Sequence, residues 1–480
     1  MRIGSEGGKG MAGKGKELAK NTAIISIGKL CTQAVSFLLL PVYTGILSTE
    51  EYGTVDLFLT CTSLLLPIIT LQLEQALFRF LLEKRGERDG TQEVLSAVYS
   101  ITFLLLLIFS AVYLTAASFI RTPFRYCLLG NLISGAFLAL MLQTARGLGR
   151  TGVYAAGSFL NASSMVILNV FFITGLRMGA EGMIYSHILS GILGGAYVFW
   201  KVKAYRYIAL RIPTREELGR CCGYALPLVP NQISWWVLSV SDRMVILWKL
   251  GVSFNGIYSI AGKFSNLYSI MYNIFNLSWT ELVSVHFHDE DREKSLGELQ
   301  DTVVKLMICL YLAMMAVMPF VFPVMVDEAY RDAYLQIPIL LTGAYFSAMT
   351  GVLGAYYIAD KNTGAIARST MICAAVNLGL DILLMPRMGL FAASAASAAA
   401  YFVMYVIRYA DVRKKYGVRI SSKLMIMAAA AAGGISAVYY YRNMLLCGIT
   451  FLGVCVMTAL LNRNVWKNIR IPRNLFGIRK

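Results

Sequence analysis

The sequence predicts an all-α polytopic membrane protein of about fourteen transmembrane helices, and three observations predict it. Hydrophobic residues make up 57% of the 480-residue chain and charged residues only 15%, with a mean hydropathy of +0.61. Apolar stretches of roughly 18 to 25 residues recur along it, each long enough to cross the hydrocarbon of a bilayer as a helix. Lys and Arg concentrate in alternate connections, where membrane insertion leaves positive charge on the cytoplasmic side.

Taken in order, the spans fall near 21–47, 55–82, 94–120, 127–145, 153–175, 183–200, 223–249, 257–283, 302–325, 337–359, 365–385, 390–409, 423–441 and 444–461, with edges set to within several residues. Only Arg442 and Asn443 separate the last two, so a helical hairpin must turn there. With both termini cytoplasmic, about 33 Lys and Arg fall in inner segments, about 7 in outer ones and about 4 within spans. The expected organisation is a basic cytoplasmic arm (1–20), two six-helix lobes (21–220 and 221–420), two further helices (421–461) and a basic tail (462–480).

The net charge of +17 therefore needs no nucleic acid. Lys201, Lys203, Arg206, Arg211, Arg413, Lys414 and Lys415 read as topology determinants beside anionic lipid. The N-terminal MRIGSEGGKGMAGKGKELAK lacks an apolar h-region before a cleavage site, so it reads as a basic arm rather than a removable signal. Cysteines are scattered singly through spans, with Cys221 and Cys222 at a cytoplasmic boundary, and read as small packing residues. No Cys/His cluster has metal spacing, and His286 and His288 sit in the acidic loop HFHDEDREK, a solvated face. No metal or other cofactor is expected.

Compared with itself, the chain repeats. LSTEEYGTVDLF after the first span matches LGVSFNGIYSIAGKF after the seventh, placing Leu47 over Leu250 and Gly53 over Gly256. Later, RTGVYAAGSFLNASSMVILN with RMGAEG resembles NTGAIARSTMICAAVNLGLD with RMGLFAA, placing Gly152 over Gly364, Asn169 over Asp381 and Gly179 over Gly389. Both copies start from the same side after an even number of spans, so the repeat is parallel, six helices against six, with the last two spans added.

Polar residues within the spans form stripes. Asp56, Thr60, Ser63, Pro67, Thr70 and Glu74 recur at four and three in the second span, and Lys263, Asn266, Ser269, Asn273, Asn276 and Thr280 do so in the eighth. Ser26, Lys29, Gln33 and Ser36 mark the first span; Gln232, Trp235, Ser239 and Asp242 mark the seventh. Such a stripe must line either a neighbouring helix or water, because lipid cannot satisfy it. Lys29 and Lys263 favour water, where an ammonium keeps its charge and can hold an anion, although Glu74 could instead serve as a buried partner.

The seventh span, WWVLSVSDRMVILWKLG, carries Asp242 and Arg243 side by side. Neighbours on a helix point about 100° apart, so the two do not face each other. Asp242 continues the stripe and Arg243 points to its flank, either into a cavity or toward a neighbouring helix. Their repeat partners are Leu39 and Leu40, so the charges are not repeated.

On LAKNTAIISIGKLCTQAVSFLLLPVYTGILSTEEYGTVDLF with QALFRF, SVSDRMVILWKLGVSFNGIYSIAGKF, GRTGVYAAGSFLNASSMVILN and PRMGLFAASAAS, nearly the whole chain resembles the oligosaccharide flippases of bacterial surface-polysaccharide synthesis, in the multidrug/oligosaccharidyl-lipid/polysaccharide exporter superfamily. The resemblance implies two lobes around a cavity that opens alternately to either side of the bacterial cytoplasmic membrane. The implied cargo is an undecaprenyl-diphosphate-linked oligosaccharide, and the implied partners are membrane lipid, a polysaccharide polymerase and glycosyltransferases. Lys29, Lys263 and Arg243 would bind the diphosphate, with Gln33, Asn266 and Asn273 offered to the sugars. Peptidoglycan-precursor flippases use basic residues on the matching first and eighth helices. Glu74, Asp56, Asp242 and Asp381 are candidates for ion coupling or ion pairing, and Arg79 and Glu281 for a gate near the cytoplasmic ends of spans two and eight. A peptidoglycan-precursor flippase shares the span count. A multidrug antiporter would place carboxylates rather than lysines at the centre of about twelve spans. A membrane-embedded polymerase would need a larger outer loop than VDEAYRDAYLQ, and no catalytic triad or P-loop appears.

Overall fold

A computed structural model describes residues 37–117, 124–207, 214–287, 289 and 292–462. Lys29, Gln33, His288, most of the first span, the basic arm and the tail after Asn462 lie outside the described residues. The first unit of chain carries α1 (Leu40–Ile46), α2 (Thr49–Ile69), α3 (Leu73–Glu83), α4 (Arg88–Ala117), α5 (Arg125–Gly147), α6 (Thr151–Val170), α7 (Gly179–Val202), α8 (Arg215–Ala225) and α9 (Leu228–Lys249). Then follow α10 (Val252–His286), α11 (Arg292–Met325), α12 (Asp332–Ala359), α13 (Thr363–Met388), α14 (Leu390–Tyr416), α15 (Ser422–Tyr441) and α16 (Met444–Leu461). Among the described residues there is no strand, and 11 helices are long and apolar enough to cross a membrane. The three spans expected beyond those 11 are the first, which lies mostly outside the described residues, and the seventh and eighth. Those two form helices of sufficient length as α9 and α10, but their polar stripes lower the hydropathy.

Two spans are broken where continuous helices are expected. Span 55–82 ends its first helix at Ile69; Leu71 and Gln72 then take left-handed angles (φ +49° and +59°), and α3 restarts at Leu73. Pro67, which cannot donate to the carbonyl of Ser63, weakens the ladder in the last turn before the break. The stripe therefore stops at Thr70, and Glu74 belongs to the first turn of α3 rather than to the face of α2. Span 223–249 likewise begins in α8, capped by Thr214 and Glu217, and is interrupted at Leu226 and Pro227 before α9. The predicted final hairpin does turn at Arg442 (φ +58°), and the Asn443 side chain accepts from the N–H groups of Leu445 and Leu446.

The repeat is written into the backbone. α5 ends as α12 ends: the N–H groups of Leu148 and Asp360 bond carbonyls four residues back, those of Gly149 and Lys361 three back, and those of Arg150 and Asn362 five back, both at 2.8 Å. Gly149 and Lys361 are both left-handed, and the next helices start at the equivalent Thr151 and Thr363. Gly179 and Gly389, paired by sequence, share φ of +56° and +57°.

The chain divides into two compact units, Met1–Gly256 and Ile257–Lys480. In the first, Leu73, Leu77 and Leu81 of α3 pack with Leu95 and Val98 of α4, Ala145 of α5 and Val198 of α7. Glycines bring α5, α6 and α7 together: a Cβ on Gly194 would lie 2.8 Å from the Cβ of Asn161, and one on Gly157 would lie 2.3 Å from Val198. In the second, the small residues of FAASAASAAA let α14 approach α12, with Gly343 against the Cα of Ala398. The added hairpin is tied to α12 by Tyr334 and Tyr439, whose rings stack at 4.0 Å and whose hydroxyls each donate to the other's carbonyl.

Gly194→Ala should lower the thermal unfolding midpoint in detergent, at a cost of about 1–3 kcal/mol, because backbone-fixed atoms oppose it. Gly152→Ala, with nothing within 4 Å of the added carbon, should leave the midpoint unchanged or raise it. Equal effects from both would remove the close-packing account.

Candidate functional site

The charged residue of the seventh span meets the stripe of the second. Arg243 Nε on α9 lies 3.1 Å from Asp56 Oδ2 on α2, with 28% and 14% of the side chains exposed. Asn255, fully buried in the first turn of α10, donates through Nδ2 to the same Asp56 Oδ2 and to the carbonyl of Gly53, each at 3.2 Å. Farther along α2, Trp236 Nε1 donates to the carbonyl of Thr60 and to Ser63 Oγ, at 3.2 and 3.0 Å. Arg243 thus ties α9 to its neighbour, and its charge is met by Asp56 rather than by Asp242, which is buried on α9.

Within its length through the second unit, α10 has two faces. Ile260, Phe264, Tyr268, Tyr272, Trp279 and Val283 recur at helical spacing and are buried. Lys263 is half-buried, and Asn266 and Asn273 are exposed on the opposite stripe. A polar stripe left uncovered in a membrane helix must face water, since hydrocarbon would leave each amide unsatisfied.

The other predicted residues are dispersed. Glu74 is buried beside the core leucines at the start of α3, where the helix dipole favours its charge. Asp381 is fully buried on α13, one turn after Asn377, whose amide donates to Ser397 Oγ of α14 at 3.3 Å. Its repeat partner Asn169 is equally buried and donates to Tyr43 Oη at 3.1 Å. Arg79 pairs with Glu83 on its own helix at 3.1 Å with both side chains half exposed, a geometry worth little. Glu281 is exposed on α10. Burial against the α3 core pushes the Cys221 thiol up to about 11, which suits a packing residue rather than a reactive one. Among the described residues no group of three His, Cys, Asp or Glu could hold a metal.

Three residues were not singled out in the sequence. Asn255 and Trp236 look like ordinary loop-edge and apolar-run residues, and nothing local marks them. Arg408 had a signal, a lone cation inside AAAYFVMYVIRYADVRKKY, hidden by the basic residues after it. It is 6% exposed and reaches from α14 to neutral oxygens alone: Ser369 Oγ at 2.9 Å, the Thr350 carbonyl at 3.0 Å and Thr370 Oγ1 at 3.1 Å.

A bundle of helices long and apolar enough to cross a membrane, with a parallel internal repeat, is that of a multi-pass membrane protein. Residues 18–279, more than half of the chain, match the polysaccharide biosynthesis protein family, and the chain belongs to that family. It is 23% identical over 287 residues, 58% of its length and 67% of the relative's, to Lsg locus putative protein 1 of Haemophilus influenzae. Its fold is similar to that of the lipid II flippase MurJ in an inward closed conformation, with a TM-score of 0.69 at 13% identity over 92% of this chain and 100% of that one. It is also similar to an inward-facing multidrug resistance MATE family transporter of the MOP superfamily, with a TM-score of 0.61 at 15% identity over 82% and 99%. At these identities the likeness is one of fold.

Arg408→Lys keeps the charge but offers one compact ammonium to acceptors on two helices, and should cost about 1–3 kcal/mol of stability. Arg408→Ala should cost about 3–5 kcal/mol, since a cavity and unpaired oxygens remain. Thermal midpoints of the purified protein check both, and an unchanged Lys variant would show that charge, not the forked geometry, is what those helices need.

Proposed function

We propose that this protein moves an undecaprenyl-diphosphate-linked oligosaccharide from the cytoplasmic to the outer leaflet of a bacterial cytoplasmic membrane, by alternating access, for surface-polysaccharide synthesis. Membership of the polysaccharide biosynthesis family supports a role in that process. The single observation that carries the substrate class is the exposed polar stripe of α10, on which Asn266 and Asn273 follow the half-buried Lys263.

The chemistry suits such a cargo. A diphosphate needs fixed positive charge, sugars need many amide and hydroxyl partners, and a prenyl tail can remain in lipid while the head crosses. Lys263 and Lys29, on the eighth and first spans, would hold the diphosphate; Gln33, Asn266 and Asn273 would meet the sugars. Arg243 would join them only when released from Asp56, which meets its charge here. Asp381, Glu74, Asp242 and Asp56 are the carboxylates through which an ion gradient would drive the cycle, and Arg79 and Glu281 would act at the cytoplasmic end. Both termini on the cytoplasmic side follow from the distribution of Lys and Arg. A polymerase and glycosyltransferases would work on the same lipid-linked units.

Two measurements test this. In cells depleted of the protein, a membrane-impermeant probe should find lipid-linked oligosaccharide retained on the inner face; normal arrival at the outer face with loss only of long polymer would sink the proposal. Lys29→Ala and Lys263→Ala should each lower outer-face delivery by roughly tenfold at unchanged membrane abundance. Loss of the protein itself would assign the lysines to packing.

A further inference from the structure

The turn of the added hairpin sits beside a cavity. It measures about 310 Å³ and lies between the end of α11, the start of α12 and the first turn of α16. The buried part of its lining is apolar: Phe322 and Val326 at the end of α11, and Cys447 of α16. Pro319 and Pro323, four apart on one face of α11, add a wall that carries no N–H to satisfy. The rest of the lining is charged, with Asp327, Glu328, Arg331 and Arg442 together at one end. That end balances two carboxylates against two guanidinium groups.

The charged end is built rather than loose. Arg442 turns the hairpin at φ +58°, and its guanidinium carbon lies 5.1 Å from the centroid of the Tyr334 ring. That ring stacks on Tyr439 at 4.0 Å, and Tyr440 Oη donates to the Leu335 carbonyl at 2.9 Å. Asp327 Oδ1 accepts from the Ala329 amide at 3.0 Å, which fixes the carboxylate. Arg331 and Glu328 approach only to 3.9 Å with side chains 72% and 88% exposed, a contact that a ligand displaces at little cost. Among the described residues no carboxylate pairs with Arg442.

We infer that this cavity binds a zwitterionic phospholipid of the surrounding membrane, with a phosphoethanolamine head group. The phosphate meets Arg442 and Arg331, whose forked donors suit its oxygens. The ammonium meets Asp327 and Glu328, and the upper part of one acyl chain lies against Phe322, Val326 and Cys447. The balance of charge selects the head group. An anionic lipid would bring its charge to two carboxylates without an ammonium to offset them, and a trimethylated choline has no N–H to donate. The volume admits a head group and part of a chain, so the rest of the lipid stays in the bilayer. Three of the lining residues come from the added hairpin, so the first repeat has no counterpart of this site. The lipid holds the hairpin turn against α11 and α12, independently of any cargo.

The test uses the purified, delipidated full chain in neutral detergent. It is titrated separately with phosphatidylethanolamine, phosphatidylcholine, phosphatidylglycerol and undecaprenyl phosphate, reading the thermal midpoint and the lipid retained in native mass spectrometry. Phosphatidylethanolamine should raise the midpoint and half-saturate at roughly tenfold lower concentration than the other two phospholipids. Asp327→Asn together with Glu328→Gln should shift the preference toward phosphatidylglycerol, which loss of packing alone would not do. Arg442→Asn, since Asn accepts the left-handed angle, should weaken phosphatidylethanolamine roughly tenfold. Equal half-saturation by the three phospholipids would show an apolar groove without head-group recognition and overturn the proposal. Tighter binding of undecaprenyl phosphate would overturn it by assigning the cavity to the route of the cargo, and a shift with chain-free phosphoethanolamine by assigning it to a soluble ion. Should Arg442→Asn fail to accumulate, an unchanged lipid preference in the double carboxylate variant overturns it alone.

Discussion

Hydrocarbon cannot donate or accept a hydrogen bond, and most of this molecule follows from that. Every backbone group must be satisfied within a helix or by a neighbour, and every polar side chain must find protein or water. Hydroxyls inside the spans meet it locally where they turn back to carbonyls three or four residues earlier, as Thr60's neighbours Thr62 and Ser63 do. Where the chain breaks, at Thr70 to Gln72, Thr70 closes the helix with both its amide and its hydroxyl on the Leu66 carbonyl. On α10 the stripe residues Asn266 and Asn273 are exposed instead.

The same constraint shapes how the helices are held together. Burying apolar surface gives no advantage between segments already in lipid, so close approach and interhelical hydrogen bonds must do it. Glycine and alanine occupy the crossings, at Gly157, Gly194 and Gly343 in the bundles and at Gly53 with Gly256 between repeat partners. Polar clamps take the remaining places: Arg408 across three helices, Tyr356 on Gln300 at 2.6 Å, and Ser394 on Gln336 at 2.7 Å. Small residues set the geometry, and the clamps make it specific.

A parallel repeat builds two halves that correspond residue by residue. The backbone keeps the equivalence, down to matching helix ends at Gly149 and Lys361. The side chains depart from it. Asn169 and Asp381 occupy equivalent buried positions, one neutral and one acidic. Thr60 stands where Lys263 stands, and Leu40 where Arg243 does. Several charged candidates stand opposite an uncharged residue in the other copy, Lys29 and Asp56 in the first and Arg243, Lys263 and Asp381 in the second.

Helix positions, the repeat, the final hairpin and the polar stripe of α10 were legible in the sequence, because apolar length and the 3.6-residue period are local properties that a membrane enforces on every span. The break after Ile69 was not, since Leu71 and Gln72 carry no turn signal and yet take left-handed angles. The partner of Arg243 was also hidden: Asp242 lies next to it in sequence, and Asp56 lies next to it in space. Asn255, Trp236 and Arg408 acquire their roles from helices far along the chain. Composition and period determine which segments enter the membrane and which face of each is polar; only the tertiary structure decides which polar faces meet, because an interhelical hydrogen bond depends on distance and angle between segments that the linear order does not relate.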